Sequence, residues 1–265
     1  MLKSEIKKYY LSILLLVSGI CAPAQLLIKS QLDTCPVYSD MSTAISNPEK
    51  VYVLDLRGTN LTQLPNEIDK FSNLQRLILA NNDIRELKSG LFKLKNLQEL
   101  DLEENKLKTL PAEIGNLKNL RKLNLTRTKI PSLPDEFANL VNLEYLNLSW
   151  NDLSPDKIKP VYKLGELLYL NLKRNLIDSL SADIASLKKL ESLNLNFNPL
   201  KTLPEEIGEL SELKEIDLGR NTDMVSLPVS FKKLKHLEYI NLTGVSLPES
   251  ELQKLPDIDP ENIEN

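Results

Sequence analysis

Five side chains in the middle of this sequence could act together: Arg127, Trp150, Arg174, Phe197 and Arg220. Cation and ring alternate at intervals of 23, 24, 23 and 23 residues. A guanidinium beside an aromatic face is a stacking and recognition pair, and Trp, Tyr and Arg are the side chains that most often anchor interfaces. Bond-breaking chemistry finds no comparable set. His236 is the only histidine, Cys35 lies some 200 residues before it, and no glycine loop or zinc spacing is present. Carboxylate pairs such as Glu205-Glu206 recur with a repeated phrase and read as solvated. The chain reads as a binding protein that needs no metal or cofactor, not as an enzyme.

The intervals point to the elements that must carry these residues. "LQELDLEENKLKTLPAEIGNLKN" from Leu97 is followed by "LRKLNLTRTKIPSLPDEFANLVN" from Leu120, both 23 residues long. The frame restarts at Val51, Leu74, Leu97, Leu120, Leu143, Leu167, Leu190, Leu213 and Leu237, with one extra residue in the units at Leu143 and Leu213. That makes eight full units and a partial ninth. Positions 1, 4, 6, 11, 14, 18 and 21 are apolar and position 15 is usually proline. Leucines at 4 and 6 alternating with polar residues place two apolar side chains on one face of a short strand. Asparagine at position 9 (Asn82, Asn105, Asn151, Asn175, Asn198, Asn221) can bond the backbone of the turn leaving that strand, giving a ladder that ends at Val245. Proline at Pro65, Pro111, Pro134, Pro204 and Pro228 suits the first turn of a short return helix.

On these residues the chain resembles the leucine-rich repeat proteins, in the variety reading L-x-x-L-x-L-x-x-N-x-L-x-x-L-P-x-x-I-x-x-L-x-x, over roughly residues 51 to 255. The resemblance implies an α/β solenoid, a horseshoe with parallel strands on its concave face and short helices or 3-10 turns on its convex face. It also implies a rigid scaffold that binds proteins, or sometimes glycans, on the concave side. The "LPxxI" phrase is similar to that of Ras-pathway scaffold proteins as well, so an intracellular or membrane-anchored signalling scaffold stays open beside a secreted binding module. The simple units without flanking cysteine caps suggest a bacterial source.

Single units cannot bury their leucines, so the ends need covers. We expect residues 25–50 to form an N-terminal segment with a capping helix, with Tyr38, Met41, Ala44 and Ile45 inward and a stop at Asn47-Pro48. Repeats occupy 51–246. Residues 247–265 form a second cap, with Leu247, Leu252 and Leu255 inward, and an acidic tail expected to be loose. Residues 1–24 read as a signal peptide: Lys3, Lys7 and Lys8, an apolar run from Leu11 to Ile20, and cleavage after Ala24. An uncut membrane span over the uncharged residues 9–28, or a lipid anchor on Cys21, are the alternatives, and only they would bring a membrane partner. Cleavage removes three Lys and one Glu, so the net charge falls from −4 to −6 and Cys35 is left as the single thiol. An acidic chain lacks the basic footprint of nucleic-acid binding.

Stacked strands about 4.8 Å apart give nine units a concave face roughly 40 Å long. Position 5 (Asp55, Ile78, Asp101, Asn124, Asn147, Asn171, Asn194, Asp217, Asn241) reads as polar but bland, and three of the four N-x-S/T sequons fall on it. Asp101, Glu103 and Glu104 form an acidic spot. The candidate ligand-binding residues are Arg127, Tyr145, Trp150, Tyr169, Lys173, Arg174, Phe197 and Arg220, read as one aromatic-rich patch with Trp150 pointing away from the leucine core. Two readings stand: a surface for a protein or a glycan, or rings and cations that satisfy only each other.

Overall fold

The computed structural model describes residues 26–264. Its core is one parallel sheet of eleven strands paired strictly in chain order. Nine of them are the strands of the repeats: β2 Val53–Asp55, β3 Arg76–Ile78, β4 Glu99–Asp101, β5 Lys122–Asn124, β6 Tyr145–Asn147, β7 Tyr169–Asn171, β8 Ser192–Asn194, β9 Glu215–Asp217 and β10 Tyr239–Asn241. The first strand, β1 Val37–Tyr38, and the last, β11 Ile263–Glu264, come from the segments flanking the repeats. Register is the same throughout, so Leu77, Leu100, Leu123, Leu146, Leu170 and Leu193 stand side by side, each no more than 1% exposed. Truncating one such leucine to alanine typically costs about 2–5 kcal/mol.

Each strand is short because the position-9 asparagine ends it. The six asparagines are buried, and every Nδ2 donates to the position-6 carbonyl of its own unit at 2.6–2.9 Å and of the preceding unit at 2.9–3.0 Å. Thr59 and Thr128 substitute with Oγ1 donating to Leu56 and Leu125 carbonyls at 2.7 and 2.8 Å. A second asparagine ladder, which the periodicity alone did not point to, runs along the units' ends. There Asn73, Asn96, Asn119 and Asn142 donate to carbonyls of Glu49, Ser72, Lys95 and Lys118.

The convex face is built of 3-10 helices such as Asn66–Lys70, Ala112–Asn116, Asp135–Asn139, Glu205–Glu209 and Val229–Lys233. The prolines sit immediately before these helices, at φ from −56° to −74°, one residue earlier than a first-turn placement. Neighbouring helices pack backbone to backbone where glycine allows it. A Cβ on Gly115 would lie 2.3 Å from the Glu136 carbonyl oxygen, and one on Gly208 would lie 2.4 Å from that of Ser230. The extra residue of the unit at Leu143 falls where the return segment lengthens to a nine-residue 3-10 helix, Pro155–Lys163.

Two α-helices and the 3-10 helix Pro48–Lys50 precede the repeats. The first, α1 Lys29–Leu32, is described below. The second, α2 Met41–Ser46, is N-capped by Asp40, whose carboxylate accepts the Thr43 amide at 2.8 Å. Ala44 of α2 is buried, with Tyr38, Met41 and Ile45 packed against the core. After the repeats α3, Glu249–Leu252, places Leu247, Leu252 and Leu255 against the core. The acidic tail is not loose as expected: Pro260–Asn262 turns the chain back and Ile263–Glu264 add the strand β11. The Leu242 amide donates to the Glu264 carbonyl at 2.5 Å, and Tyr239 Oη donates to its carboxylate at 2.6 Å. The physical reason is the otherwise open edge of β10, whose backbone groups need partners.

Candidate functional site: the concave face

Positions 3 and 5 of each unit project from the concave side of the sheet, because positions 4 and 6 are in the core. Identical register makes position-3 side chains neighbours across strands. Arg76 pairs with Glu99 at 2.5 Å, Lys122 Nζ lies 4.9 Å from the Tyr145 ring centre, and Tyr145 and Tyr169 stack at 4.4 Å and 2° between planes. Burial, then the neighbouring Tyr169, pushes the Tyr145 phenol pKa up.

Position 5 is not bland. In every unit but that of Ile78, its side-chain Oδ1 accepts the position-7 amide at 2.8–3.1 Å. These Asx turns carry the chain out of the strand. They also engage Asn124, Asn147 and Asn241, three of the four sequon asparagines, in the scaffold. The acidic spot is similarly used: Asp101 accepts the Glu103 amide, Glu103 accepts Asn124 Nδ2 at 3.1 Å, and Glu104 pairs with Arg127 at 2.6 Å.

Position 8 has a property the sequence pattern did not suggest. All nine units adopt positive φ there, from 51° to 74°, yet only the end rungs are glycine (Gly58, Gly244). Asn81, Glu104, Arg127, Trp150, Arg174, Phe197 and Arg220 fill the rest. The left-handed turn is what brings the following asparagine inward. It costs an ordinary side chain roughly 1–2 kcal/mol. Backbone pairing continues through it, as in Arg174 N–H to Asn196 O at 2.8 Å and Phe197 N–H to Gly219 O at 2.9 Å, so position-8 side chains repeat at strand spacing.

The result is one continuous column. Trp150 lies between two guanidiniums, with Arg127 Cζ 4.2 Å and Arg174 Cζ 3.9 Å from its ring centre. Phe197 lies between Arg174 at 5.4 Å and Arg220 at 5.8 Å. Both faces of Trp150 are therefore occupied, and only ring edges and in-plane N–H groups look outward. Arg127, Arg174, Phe197 and Arg220 are exposed, and Trp150 and Lys173 are half-buried. Lys173 stands at position 7 between the column and the strands. The single patch read from the sequence divides into two tracks: the Tyr145–Tyr169 stack within the strands and the Arg–Trp–Arg–Phe–Arg column in the turns after them.

Sequence reasoning missed a strap. Residues 26–35, including α1, cross the first three units. The Leu27 amide donates to Gln75 Oε1 at 2.8 Å, while Gln98 Nε2 donates to the Leu27 carbonyl at 2.8 Å and to Gln75 Oε1 at 2.7 Å. Asp33 pairs with Arg76 at 2.6 Å. Leu27, Leu32 and Cys35 bury themselves against Tyr52 and Val53. Between strap and sheet lies a trough of about 750 Å³, bordered by Leu26, Ile28, Arg76, Glu99, Lys122 and Tyr145. Two glutamines at position 2 of successive units were the available signal. Among the described residues no cluster of His, Cys, Asp and Glu is placed to hold a metal, and His236 is exposed. The expected signal peptide, its cleavage site and Cys21 lie outside the described residues.

A family model described as a leucine-rich repeat region matches residues 32–152 and 151–259. No curated protein sequence matches the chain. Among solved structures, a leucine-rich repeat protein of Leptospira interrogans is similar with a TM-score of 0.60 and 26% identity, over 84% of this chain and 81% of that one. A plant peptide hormone receptor in complex with RGF2 gives 0.67 and 28%, over 84% of this chain and only 36% of the receptor. Internalin C2 of Listeria monocytogenes, at 0.61 and 24% over 84% of each, shares the fold.

Proposed function

We propose a function from what the repeats establish: the chain belongs to the leucine-rich repeat family, whose solenoid is a non-catalytic scaffold for ligand binding, and this member takes up a protein ligand on its concave face. The observation that carries the reading is the strained column. Glycine or asparagine would fit position 8 at least cost, as Gly58, Asn81 and Gly244 do, yet the central rungs hold Arg127, Trp150, Arg174, Phe197 and Arg220. Strain kept at successive surface positions supports a role in contact. The strap supports the location, since it covers the first three units and leaves the units from Tyr145 onward open. The plant receptor's complex with RGF2 offers a parallel for ligand uptake by this fold.

The site comprises Tyr145 and Tyr169 on the strand track, and Arg127, Trp150, Lys173, Arg174, Phe197 and Arg220 along the margin. Secretion or display in the cell envelope follows from a signal peptide at 1–24, and N-terminal sequencing of the exported protein should begin at Gln25. The binding test compares the protein with a Trp150→Ala, Tyr169→Ala, Arg174→Ala variant of equal folding, both immobilised and exposed to extracellular and envelope extracts. A partner retained only by the unmodified protein supports this site. Equal retention places binding elsewhere and leaves the column as surface packing.

A further inference from the structure

Within the column the protein shows how its guanidiniums take a carboxylate. Arg127 stacks on Trp150 and, in the guanidinium plane, Nη1 meets the Glu104 carboxylate at 2.6 Å. Glu104 occupies position 8 of the preceding unit, so a rung of the column itself serves as the acid. Arg174 and Arg220 have the same backbone conformation; Arg174 lies over Trp150 at 3.9 Å and Phe197 at 5.4 Å, and Arg220 over Phe197 at 5.8 Å. Among the described residues, however, no carboxylate lies within ion-pair reach of either one or of Lys173. The two acids of β9, the strand of the unit that carries Arg220, are directed elsewhere. Glu215 accepts Ser192 Oγ, and Asp217 accepts Asn194 Nδ2, Asn196 Nδ2 and the Gly219 amide. Arg174 is covered on both faces by Trp150 and Phe197, so an acid can reach it only edge-on, the approach that gives a bidentate fork.

Two forks separated by two rungs define a spacing. Two strand intervals of about 4.8 Å place them about 9.6 Å apart. A polyproline II segment returns to the same side every three residues at about 3.1 Å each, or about 9.3 Å. A β-extended segment presents the same side at about 6.7 or 13.4 Å, out of step with both forks.

The strap supplies a precedent for main-chain contact on this side of the sheet. Its residues 26–28 lead into α1 on this concave side, and Ile28, the N-cap of α1, is extended at φ −70° and ψ 159°. Its neighbouring peptide groups are held by side-chain amides of Gln75 and Gln98. An α-helix would present no free carbonyls to such donors. A polyproline II chain presents all of them.

We infer, resting on the concave-face reading above, that the ligand's contacting segment is an acidic peptide in polyproline II conformation whose carboxylates, three residues apart, enter the forks of Arg174 and Arg220 with Phe197 between them. The exposed edge of Phe197 then meets the two intervening residues, which suit proline.

The test uses synthetic peptides against the protein, read by Trp150 emission and by calorimetry. The first peptide repeats Glu-Pro-Pro and the second repeats Glu-Pro-Pro-Pro. A third repeats Lys-Pro-Pro, a fourth is helical with glutamates seven apart, and polygalacturonate serves as a linear acidic glycan. The Glu-Pro-Pro peptide should bind best, losing about tenfold or more with Arg174→Gln or Arg220→Gln and less with Arg174→Lys, which keeps charge without the fork. Comparable binding of the four-residue spacing or of the helical peptide overturns the conformation. Binding of polygalacturonate alone overturns the peptide class. Indifference to both arginine substitutions, or no binding by any probe, overturns the inference. The wider concave-face reading survives any of these if the triple alanine variant still loses its captured partner.

Discussion

The left-handed rungs make a prediction opposite in sign to the ordinary preference for alanine over glycine. Trp150 sits at φ 58°. Trp150→Ala and Trp150→Gly remove the same two guanidinium contacts, at 4.2 and 3.9 Å, each worth about 0.5–1 kcal/mol at an exposed site. Alanine keeps the left-handed penalty of roughly 1–2 kcal/mol. Glycine sheds it but loses about 0.5–1 kcal/mol more in backbone entropy on folding. The glycine variant should therefore be about 1 kcal/mol more stable than the alanine variant and about 0.5–1 kcal/mol less stable than the unmodified protein. In a chain of this size that difference moves the midpoint by roughly 2–4 °C. Thermal unfolding followed by circular dichroism, with urea melts as a check, reads it directly. An alanine variant as stable as the glycine variant, or more so, would show that the rung is unstrained and would remove the argument that its side chains are kept for contact.

The asparagine ladder should be far less tolerant than the surface amides. Asn198 donates to Leu172 and Leu195 carbonyls and accepts the Asn175 and Ile177 amides, so Asn198→Leu should cost about 3 kcal/mol or more in urea unfolding, against less than about 1 kcal/mol for Asn142→Leu at the exposed end of the second ladder. Gly208→Ala must displace the Ser230 backbone, 2.4 Å from the new Cβ, and should lose about 1–3 kcal/mol. Gly165→Ala, with nothing within 4 Å, is the control. The hydrogen bond to Glu264 pushes the Tyr239 phenol up to about 12 from an ordinary 10, with burial adding to the shift. A raised folded-state pKa stabilises fully below pH 10 and is lost as pH climbs through about 12. The stability gap between the protein and Tyr239→Phe should thus be constant below pH 10 and close across that window; a gap unchanged to pH 12 would mean that the tail is not held by this bond.

What the sequence made legible were the features that burial enforces. Leucines at positions 4 and 6 have one face to bury, and position-9 asparagine answers the backbone of one turn, so both recur with little variation and can be read by alignment. The left-handed turn at position 8 was hidden because Trp150, Phe197 and three arginines occupy a conformation they disfavour. Its trace lay in Gly58, Asn81 and Gly244, three residues of the same column that favour positive φ. Position 5 looked like free surface because its Asx turn satisfies a backbone amide only two residues away, which leaves no periodic apolar mark. The strap was beyond local reasoning: Leu27 finds Gln75 and Gln98 at sequence separations of 48 and 71. The C-terminal strand depends on two apolar residues, Ile258 and Ile263, within an acidic run.

The strap also changes what a concave face means in this chain. A solenoid offers every unit the same strand and the same turn, so nothing in the repeat itself says where a ligand should sit. Here asymmetry comes from outside the repeats. Leu27, Asp33 and α1 occupy the surface of the first units, where the position-3 side chains Arg76 and Glu99 are already paired to each other and Arg76 to the strap. Beyond Lys122 the character changes, with stacked tyrosines on the strands and rings holding guanidiniums edge-outward in the turns. The covered end satisfies its charges internally, whereas the open end keeps the forks of Arg174 and Arg220 without a carboxylate among the described residues. On the reading proposed above, Arg174 and Arg220 would meet an acidic partner at the open end, while Arg127 and Lys214 there are already paired with Glu104 and Glu191.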